Sequence, residues 1–561
     1  MVERDAAADL LLVNARVVTL DPWQPFGGAL AIRAGRVLAV GALDELRPLA
    51  GPATEIVDGA SGLAVPAFHD AHLHLLSYAR ARSRLDCRDA RSMAELGAAL
   101  AERARALPPG AWLRAWGYDE ARLGRHPDRD DLDAAVPGHP VRLQHRSLHL
   151  DVLNTTALRQ LRLLAASARE VERDPATGEP TGRLYHAAKL LRGRLDRPSE
   201  DELAGDVRQA CEQLLAWGVT TVQDASATNG VEEWELFHRL AARGALPLRL
   251  FMLPGADHWP RVLAARPPSP RLGLGPVKIM LDEATSHSAD ICAAVADARR
   301  TGLAVAIHAV SEAEVAIALE ALRTPHPPAP PLPPGARGEL VSRATPPLPS
   351  WAMEELMGDA TPRARWRARE ESGGAGTPPP RWWGRGLGGE GGNRLEHGAV
   401  IPDAWLDELW RLGVMVVGQP ALVYERGDVY RAEYPPELHG WLHRAASLRR
   451  AGVRYAAGSD APVTEPAPGL GLFAARTRLT RSGAVLGPGE VLNPTEALAA
   501  YTAAPAAAVG AAHLLGRLRP GALADVAVLD PDAVDAPSPE AARRPVRLTI
   551  TEGRVVWRRD G

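Results

Sequence analysis

Short apolar runs that are continuous rather than alternating recur through the central part of the chain. Strands of a parallel sheet are covered on both faces and have this pattern. We count eight such runs, at 63–72, 219–225, 246–253, 276–282, 303–309, 394–398, 414–420 and 453–460. Helical patterns lie between most of them, for example at 201–218, 290–302, 312–323 and 402–413. Eight strand-then-helix units predict an α/β protein built as a (β/α)₈ TIM barrel.

Both ends of the chain carry β-rich runs separated by hairpin turns. Such runs fill residues 10–58, and similar ones return at 524–530 and 546–557. Neither end has enough strands to form a stable sheet alone. We therefore expect a small β-sandwich built from residues 1–62 and 506–561, with the barrel spanning 63–505 between them.

Two stretches do not fit a plain barrel. Residues 75–200 are too long for one crossover and contain a β-like run of their own, so we expect a subdomain inserted beside the barrel mouth. Residues 324–393 are dense in proline and glycine, which predicts a disordered surface insertion. A peptide-binding role for the proline run is the alternative.

Composition restricts the class of protein. A formal net charge of −3 over 561 residues gives no electrostatic case for nucleic acid or an anionic membrane. The N-terminus is too charged, and its apolar run too short, for a signal peptide or a spanning helix. Three scattered cysteines argue against a disulfide framework and favour the cytoplasm. We expect a small-molecule partner and, as a possibility left open, a homodimer.

Candidate chemistry begins at VPAFHDAHLHLL, residues 65–76. On a strand, Asp70, His72 and His74 share one face because side chains alternate. Two imidazoles on one face can share a metal ion, and a nearby carboxylate such as Asp70 can orient one of them. By itself the motif also fits paired histidines with a surface or packing role.

Four further candidates end later apolar segments, where barrel enzymes carry their catalytic groups: Lys278, His308, His397 and Asp460. Each has a simpler interpretation. Lys278 could be a solvated lysine, His308 a core histidine, His397 the ion-pair partner of Glu396, and Asp460 a turn residue. These alternatives are reasonable singly and improbable together.

The motifs PAFHDAHLHL, PVKIMLD, RLEHGAV with a following GQP, GSDAPV and RLRPGALADVAVLD resemble those of the amidohydrolase superfamily. The nearest branch includes the N-substituted formamide deformylases. The resemblance covers nearly the whole chain apart from the proline-rich insertion. It implies a metal-dependent hydrolase that uses metal-activated water to cleave an amide or other C–N bond, not a peptide backbone, of a small organic substrate.

The resemblance also implies roles for individual residues. His72 and His74 would bind one metal ion, His308 and His397 a second, and Lys278 would bridge the two as a carbamate. Asp460 would be both a ligand and the catalytic proton carrier. The expected cofactor is one or two Zn²⁺ ions, with another divalent metal as the alternative.

Four residues are candidates for contact with the substrate. His149 matches a position at which the resembling branch carries a histidine near the substrate, and Tyr118, Asp119 and Gln419 are further candidates for the pocket wall. Each also fits a surface or structural role. Two other functions stay open, a deaminase of the same architecture with one metal and a catalytically inactive barrel used as a binding scaffold.

Overall fold

The computed structural model describes residues 7–559 except 148, 166–167, 192–193, 195–198, 266–268, 282–286 and 324–391. The predicted disorder of 324–393 thus falls almost wholly outside the described residues. No helix in the described part of the chain has the length and apolar character needed to cross a membrane.

Both ends of the chain contribute to one mixed sheet, of order β23-β22-β21-β5-β1-β3-β4 with β2 paired to β1. Residues Leu63 to Pro66 of β5 pair with β21, so this sheet continues past the predicted boundary at residue 62. The described strands of the two ends form one layer, and the two-layered sandwich stays a prediction. Their bounds are β1 Ala8–Val18, β2 Phe26–Gly27, β3 Ala29–Arg33, β4 Arg36–Gly41, β5 Ala50–Pro66, β21 Val526–Leu529, β22 Leu548–Thr551 and β23 Arg554–Arg558.

The central strands form two parallel sheets, of orders β15-β14-β13-β6 and β16-β17-β18-β19-β20. Each of the eight predicted segments contains one parallel strand, and the short β15 was not predicted. The bounds are β6 Phe68–Leu73, β13 Val219–Asp224, β14 Arg249–Met252, β15 Leu272–Leu274, β16 Val277–Ile279, β17 Val305–Ala309, β18 Arg394–His397, β19 Met415–Gly418 and β20 Arg454–Ala457.

Hydrogen bonds join the two parallel sheets at both edges. On one side the Lys278 amide donates to the Pro254 carbonyl at 2.8 Å, and on the other the Asp460 amide donates to the His72 carbonyl at 2.7 Å. Gly458 makes the second junction possible, because a Cβ there would lie 2.5 Å from the His72 amide nitrogen. The carboxyl end of the last strand therefore lies directly beside that of the first.

The insertion between β6 and β13 has its own sheet, of order β11-β12-β10-β9-β8-β7, and its own apolar core. Arg146 of this insertion donates to the Val463 carbonyl at 3.4 Å, and its guanidinium lies 3.7 Å from the Glu425 carboxylate. The insertion is thereby tied to the carboxyl ends of the parallel strands. Its strands are β7 Leu85–Asp86, β8 Leu113–Tyr118, β9 Val141–His145, β10 Leu150–Leu153, β11 Val171–Arg173 and β12 Pro180–Tyr185.

Helices cover the parallel strands and bury the main apolar core against them. The four predicted helical segments all contain helix, and the last begins as a 3₁₀ turn at Asp403–Trp405. The described α-helices are α1 Leu43–Leu46, α2 Leu75–Arg82, α3 Met93–Arg105, α4 Glu120–Leu123, α5 Arg129–Ala135, α6 Thr155–Gln160, α7 Ala188–Leu191, α8 Glu200–Ala216, α9 Val231–Ala242, α10 Trp259–Leu263, α11 Ser288–Arg300, α12 Glu312–Arg323, α13 Leu406–Arg411, α14 Ala421–Glu433, α15 Ala446–Arg450, α16 Pro468–Thr477, α17 Pro494–Ala500, α18 Ala503–Ala508 and α19 Pro539–Ala542.

Candidate active site

The six predicted ligands all lie at or just beyond the carboxyl ends of parallel strands. This is the end at which α/β barrels carry their catalytic groups. The side chains come from β6, β16, β17, β18 and the turn after β20: His72, His74, Lys278, His308, His397 and Asp460.

Asp460 lies at the centre of the histidines. Its Oδ1 is 3.1 Å from His74 Nε2 and 3.5 Å from His72 Nε2, and its Oδ2 is 4.0 Å from His397 Nδ1. One ligand atom each from His72, His397 and Asp460 lie within 4.8 Å of one another. This group takes one histidine from each of the two predicted pairs.

His397 also contacts His308 and Gln419. Its Nε2 lies 2.9 Å from His308 Nδ1, and its Nδ1 lies 3.0 Å from Gln419 Oε1. An amide oxygen can only accept, so His397 Nδ1 carries the proton and Nε2 keeps its lone pair. Gln419 has no exposed surface and orients His397, and its predicted place in the pocket wall stays a prediction.

Lys278 is almost fully buried, with 1% of its surface exposed. Its Nζ has no hydrogen-bond partner among the described residues. Burial lowers the pKa of this amine to about 8, and the carboxylates of Glu396 and Asp460 oppose the shift. More of this amine is therefore neutral near physiological pH than for an ordinary lysine, and carbamate formation with CO₂ requires the neutral form.

The carboxylate that orients His72 is Glu396, a residue that sequence reasoning treated only as a partner for His397. Glu396 Oε2 accepts a hydrogen bond from His72 Nδ1, and its Oε1 lies 2.5 Å from Arg394 Nε. All three side chains are buried. Glu396 therefore directs the Nε2 lone pair of His72 towards Asp460. Parallel strands are normally apolar, so the two charged residues Arg394 and Glu396 within one strand were the feature of the sequence that could have indicated this role.

Asp70 does not orient an imidazole, contrary to the prediction. Its carboxylate accepts hydrogen bonds from the backbone amide of His72 at 3.0 Å and from Ser459, through the amide at 3.0 Å and Oγ at 2.6 Å. An aspartate side chain is short, so the Asp70 carboxylate contacts the nearby backbone amides and the Ser459 hydroxyl and not an imidazole ring. Asp70 thus fixes the turn that carries Asp460.

Two of the candidate ligands have left-handed backbones. His397 has a φ of 71° and Asp460 a φ of 57°. Such conformations cost non-glycine residues about 1–2 kcal/mol, and they cluster at functional sites. Both residues are thus held in strained positions next to each other.

The charges around Asp460 favour its ionised form. Burial alone would raise the pKa of this carboxyl group, but the hydrogen bond from His74 and the neighbouring His72 and His397 lower it below its ordinary value. The pKa of His72 is itself lowered by burial and then by Lys278. Burial thus favours neutral His72 and His397 beside the Asp460 carboxylate, which is the protonation state that metal binding needs.

Unpartnered polar atoms provide a test of whether this centre fits a metal ion. Among the described residues, His72 Nε2 and Lys278 Nζ are buried without a hydrogen-bond partner, and Asp460 Oδ1 lies 3.5 Å from His72 Nε2. Buried polar atoms are normally satisfied. A divalent cation between them would supply the missing interactions, so the donor set fits the metal that the fold implies.

Of the other predicted substrate contacts, Tyr118 and Asp119 lie within the structure of the insertion. Tyr118 is fully buried and its hydroxyl lies 3.2 Å from His126 Nδ1. Asp119 caps α4 and accepts hydrogen bonds from Arg146 and Arg426, each at 3.4 Å. Both side chains have partners among the described residues, and their predicted contact with substrate stays a prediction.

His149 is exposed on the insertion, with its ring centroid 5.1 Å from that of His186. Desolvation by the surrounding protein and the nearby His186 lower the pKa of His149, while the charge of Asp460 opposes the shift. His149 therefore lies within electrostatic reach of the centre, at its solvent side.

Comparison with known proteins identifies relatives over the full chain. The sequence profile of the amidohydrolase family matches residues 55–340 and 358–557. An N-substituted formamide deformylase of Arthrobacter pascens is 28% identical, over 99% of this chain and 99% of that one. The protein LONG AFTER FAR-RED 3 of Arabidopsis thaliana is 30% identical over 39% of this chain and 38% of its own.

The fold has counterparts among solved structures. An uncharacterized metal-dependent hydrolase from Pyrococcus horikoshii superposes with a TM-score of 0.67 at 22% identity, covering 94% of this chain and 98% of that one. At this identity the likeness concerns the fold. The profile match covers most of the chain, so the chain belongs to the amidohydrolase family and is a metal-dependent hydrolase of carbon–nitrogen bonds other than peptide bonds.

Proposed function

We propose that the chain hydrolyses the amide bond of small N-substituted amides, with N-formyl compounds as the first candidates. The full-length similarity to a protein named as an N-substituted formamide deformylase supports this substrate class. The observation that carries the proposal is the convergence of His72, His397 and Asp460 within 4.8 Å at the strand ends.

We propose that this centre holds one or two divalent ions, with Zn²⁺ as the first choice. His72, His397 and Asp460 would hold one ion, with His74 beside them; Lys278, as a carbamate, and His308 would complete a second position. Imidazole nitrogens and carboxylate oxygens are the ligands that zinc uses in catalytic sites. When bound, such an ion polarises a carbonyl oxygen and makes water a stronger nucleophile.

The chain's own residues then have distinct tasks. Asp460 accepts a proton from the attacking water and passes it to the departing nitrogen, as general acid–base catalysis requires. The hydrogen bond from His74 Nε2, at 3.1 Å, holds its carboxylate in place. Glu396 keeps His72 in the tautomer that offers its Nε2 lone pair towards Asp460, and Gln419 keeps His397 in the tautomer whose Nε2 lone pair faces His308.

The finer features of the architecture belong to the same proposal. We take the parallel strands as a closed (β/α)₈ barrel spanning 63–505, with 75–200 and 324–393 as insertions and with 1–62 and 506–561 as the sandwich. The hydrogen bonds between the two parallel sheets support closure. Free Cys87, Cys211 and Cys292 are consistent with the proposed cytoplasmic location. We also propose that two copies of the chain form a homodimer.

The test is a screen of purified protein against N-formyl, N-acyl and cyclic amides, with both products quantified. We expect an amine and a carboxylate in equal amounts, no turnover after chelation, and recovery with Zn²⁺. Asp460→Asn should lower turnover at least a hundredfold, while Asp407→Asn, at a side chain that is 84% exposed, should not. If no amide is cleaved by the zinc-loaded protein, the proposed substrate class is wrong.

A one-metal deaminase is the second candidate, because the compact group of His72, His397 and Asp460 is sufficient for a single ion. The two functions differ in their need for Lys278. Lys278→Met should abolish amide hydrolysis if the lysine bridges two ions. A deaminase would release ammonia from an amino-substituted ring and would retain turnover in this variant.

A further inference from the structure

A cavity of about 220 Å³ lies outside the candidate active site, between the insertion and the parallel strands. Its walls come from α2, from the insertion strands β7 and β8, and from the segment 462–466, which begins two residues after Asp460. The residues that matter here are Tyr78, Arg82, Arg84, Trp116, Trp217 and Glu465.

The cavity has an excess of positive charge. Two carboxylates line it, but Asp86 is paired with Arg88 at 2.6 Å, and Glu465 is paired with Arg543 at 2.6 Å. Arg82 and Arg84 also line the cavity. Among the described residues, no carboxylate lies within ion-pair distance of either guanidinium. The described walls therefore offer two cations that lack an anionic partner.

The surroundings of Arg84 strengthen this imbalance. The side chain donates one hydrogen bond, to Gln144 Oε1 at 2.9 Å. Burial, followed by the charges of Arg142 and Arg80, lowers the pKa of Arg84 to about 9. A guanidinium that is partly buried among like charges destabilises the empty protein, and an anion in the cavity would offset that repulsion.

Three aromatic side chains also line the cavity. Trp116 is 4% exposed, and its indole N–H is buried without a hydrogen-bond partner among the described residues. The indole N–H of Trp217, by contrast, donates to the Arg543 carbonyl at 3.2 Å. Arg82 lies over the Tyr78 ring and Arg88 over the Trp116 ring, at 5.8 and 4.9 Å from the ring centroids, so guanidinium and aromatic groups alternate along this wall.

We propose that this cavity is a binding site for a small aromatic carboxylate, separate from the hydrolytic centre. The carboxylate would pair with Arg82 and Arg84, and its ring would lie against the wall formed by Tyr78, Trp116 and Trp217. Guanidinium groups match the geometry of a carboxylate through paired N–H donors. The ligand would also contact the segment that follows Asp460.

Calorimetric titration of the zinc-loaded protein with benzoate tests the proposal, with benzamide and inorganic phosphate as comparison ligands. Benzamide has the same shape without the charge, and phosphate has charge without the ring. The variants are Arg84→Gln, which removes the charge, and Arg84→Lys, which keeps it. Arg411→Gln is the matched control, because that arginine is exposed and lies outside the cavity.

We expect saturable binding of benzoate, at least tenfold weaker binding of both comparison ligands, and at least tenfold weaker binding of benzoate by Arg84→Gln. Arg84→Lys should bind more tightly than Arg84→Gln, and Arg411→Gln should equal the wild type. Absence of benzoate binding would overturn the proposal. Binding that Arg84→Gln leaves unchanged but His72→Ala abolishes would also overturn it, because the ligand would then occupy the metal centre.

Discussion

Glu396→Gln is the change that most sharply tests the hydrogen-bonded support of the site. Glu396 has no exposed surface and lies between the His72 ring and the Arg394 guanidinium. The substitution keeps the shape of the side chain but removes its charge. It leaves the buried Arg394 cation without a carboxylate and allows the His72 ring to adopt the other tautomer.

The expected magnitude has two parts. Loss of the partner that orients a metal-binding histidine typically lowers metal affinity or activity about 10–100-fold, which corresponds to about 1.4–2.8 kcal/mol. Removing one partner of a buried ion pair costs about 3–5 kcal/mol of stability. Arg394 keeps its hydrogen bond to Gln223 in this variant, which reduces the loss of stability.

The assay is Zn²⁺ competition against a chromophoric chelator, together with the thermal unfolding temperature of the metal-free protein. Glu408→Gln is the matched control, since Glu408 pairs with Arg323, whose side chain is 56% exposed. Such surface pairs contribute about 0–1 kcal/mol. If Glu396→Gln binds Zn²⁺ within twofold of the wild type and unfolds at the same temperature, the assigned role of Glu396 is refuted.

Three further predictions concern other parts of the structure. Asp460→Asn should lower kcat by about 10²–10⁴-fold with little change in KM; a loss below tenfold in steady-state kinetics would exclude it as the proton carrier. Gln419→Leu, which frees the His397 ring, should weaken Zn²⁺ binding about tenfold in the same chelator assay, and unchanged affinity would contradict its orienting role. Arg249 pairs with Asp525 at 2.6 Å and with Glu552 at 2.7 Å, and these pairs join the parallel strands to the terminal sheet. Arg249→Gln should therefore lower the free energy of unfolding by about 3–5 kcal/mol in denaturant unfolding. An unchanged unfolding transition would mean that these pairs do not join the two parts.

The strands were predictable because their signal is local. A parallel strand covered on both faces needs an apolar run, and all eight runs contain one. The extension of β5 to Pro66 was not predictable in the same way. The apolar residues 63–66 would fit either the terminal sheet or a parallel sheet. Their pairing with β21, which is distant in the sequence, decides that they join the terminal sheet.

The candidate ligands were found for the same local reason, since each ends an apolar run. Their partners were missed because the contacts are long-range. Nothing near His72 in sequence indicates that Glu396, 324 residues later, accepts its Nδ1 proton. The complete burial of Tyr118 and Gln419 was likewise not predictable, because it depends on packing that the sequence pattern does not specify.

The central claim is that these strand ends hold the catalytic metal. Anomalous X-ray diffraction at the zinc edge, on crystals of the active zinc-loaded protein, tests it directly. The account predicts a peak at coordination distance from His72 Nε2, His397 and Asp460. A fully active, zinc-containing crystal whose anomalous peaks all lie elsewhere would contradict it.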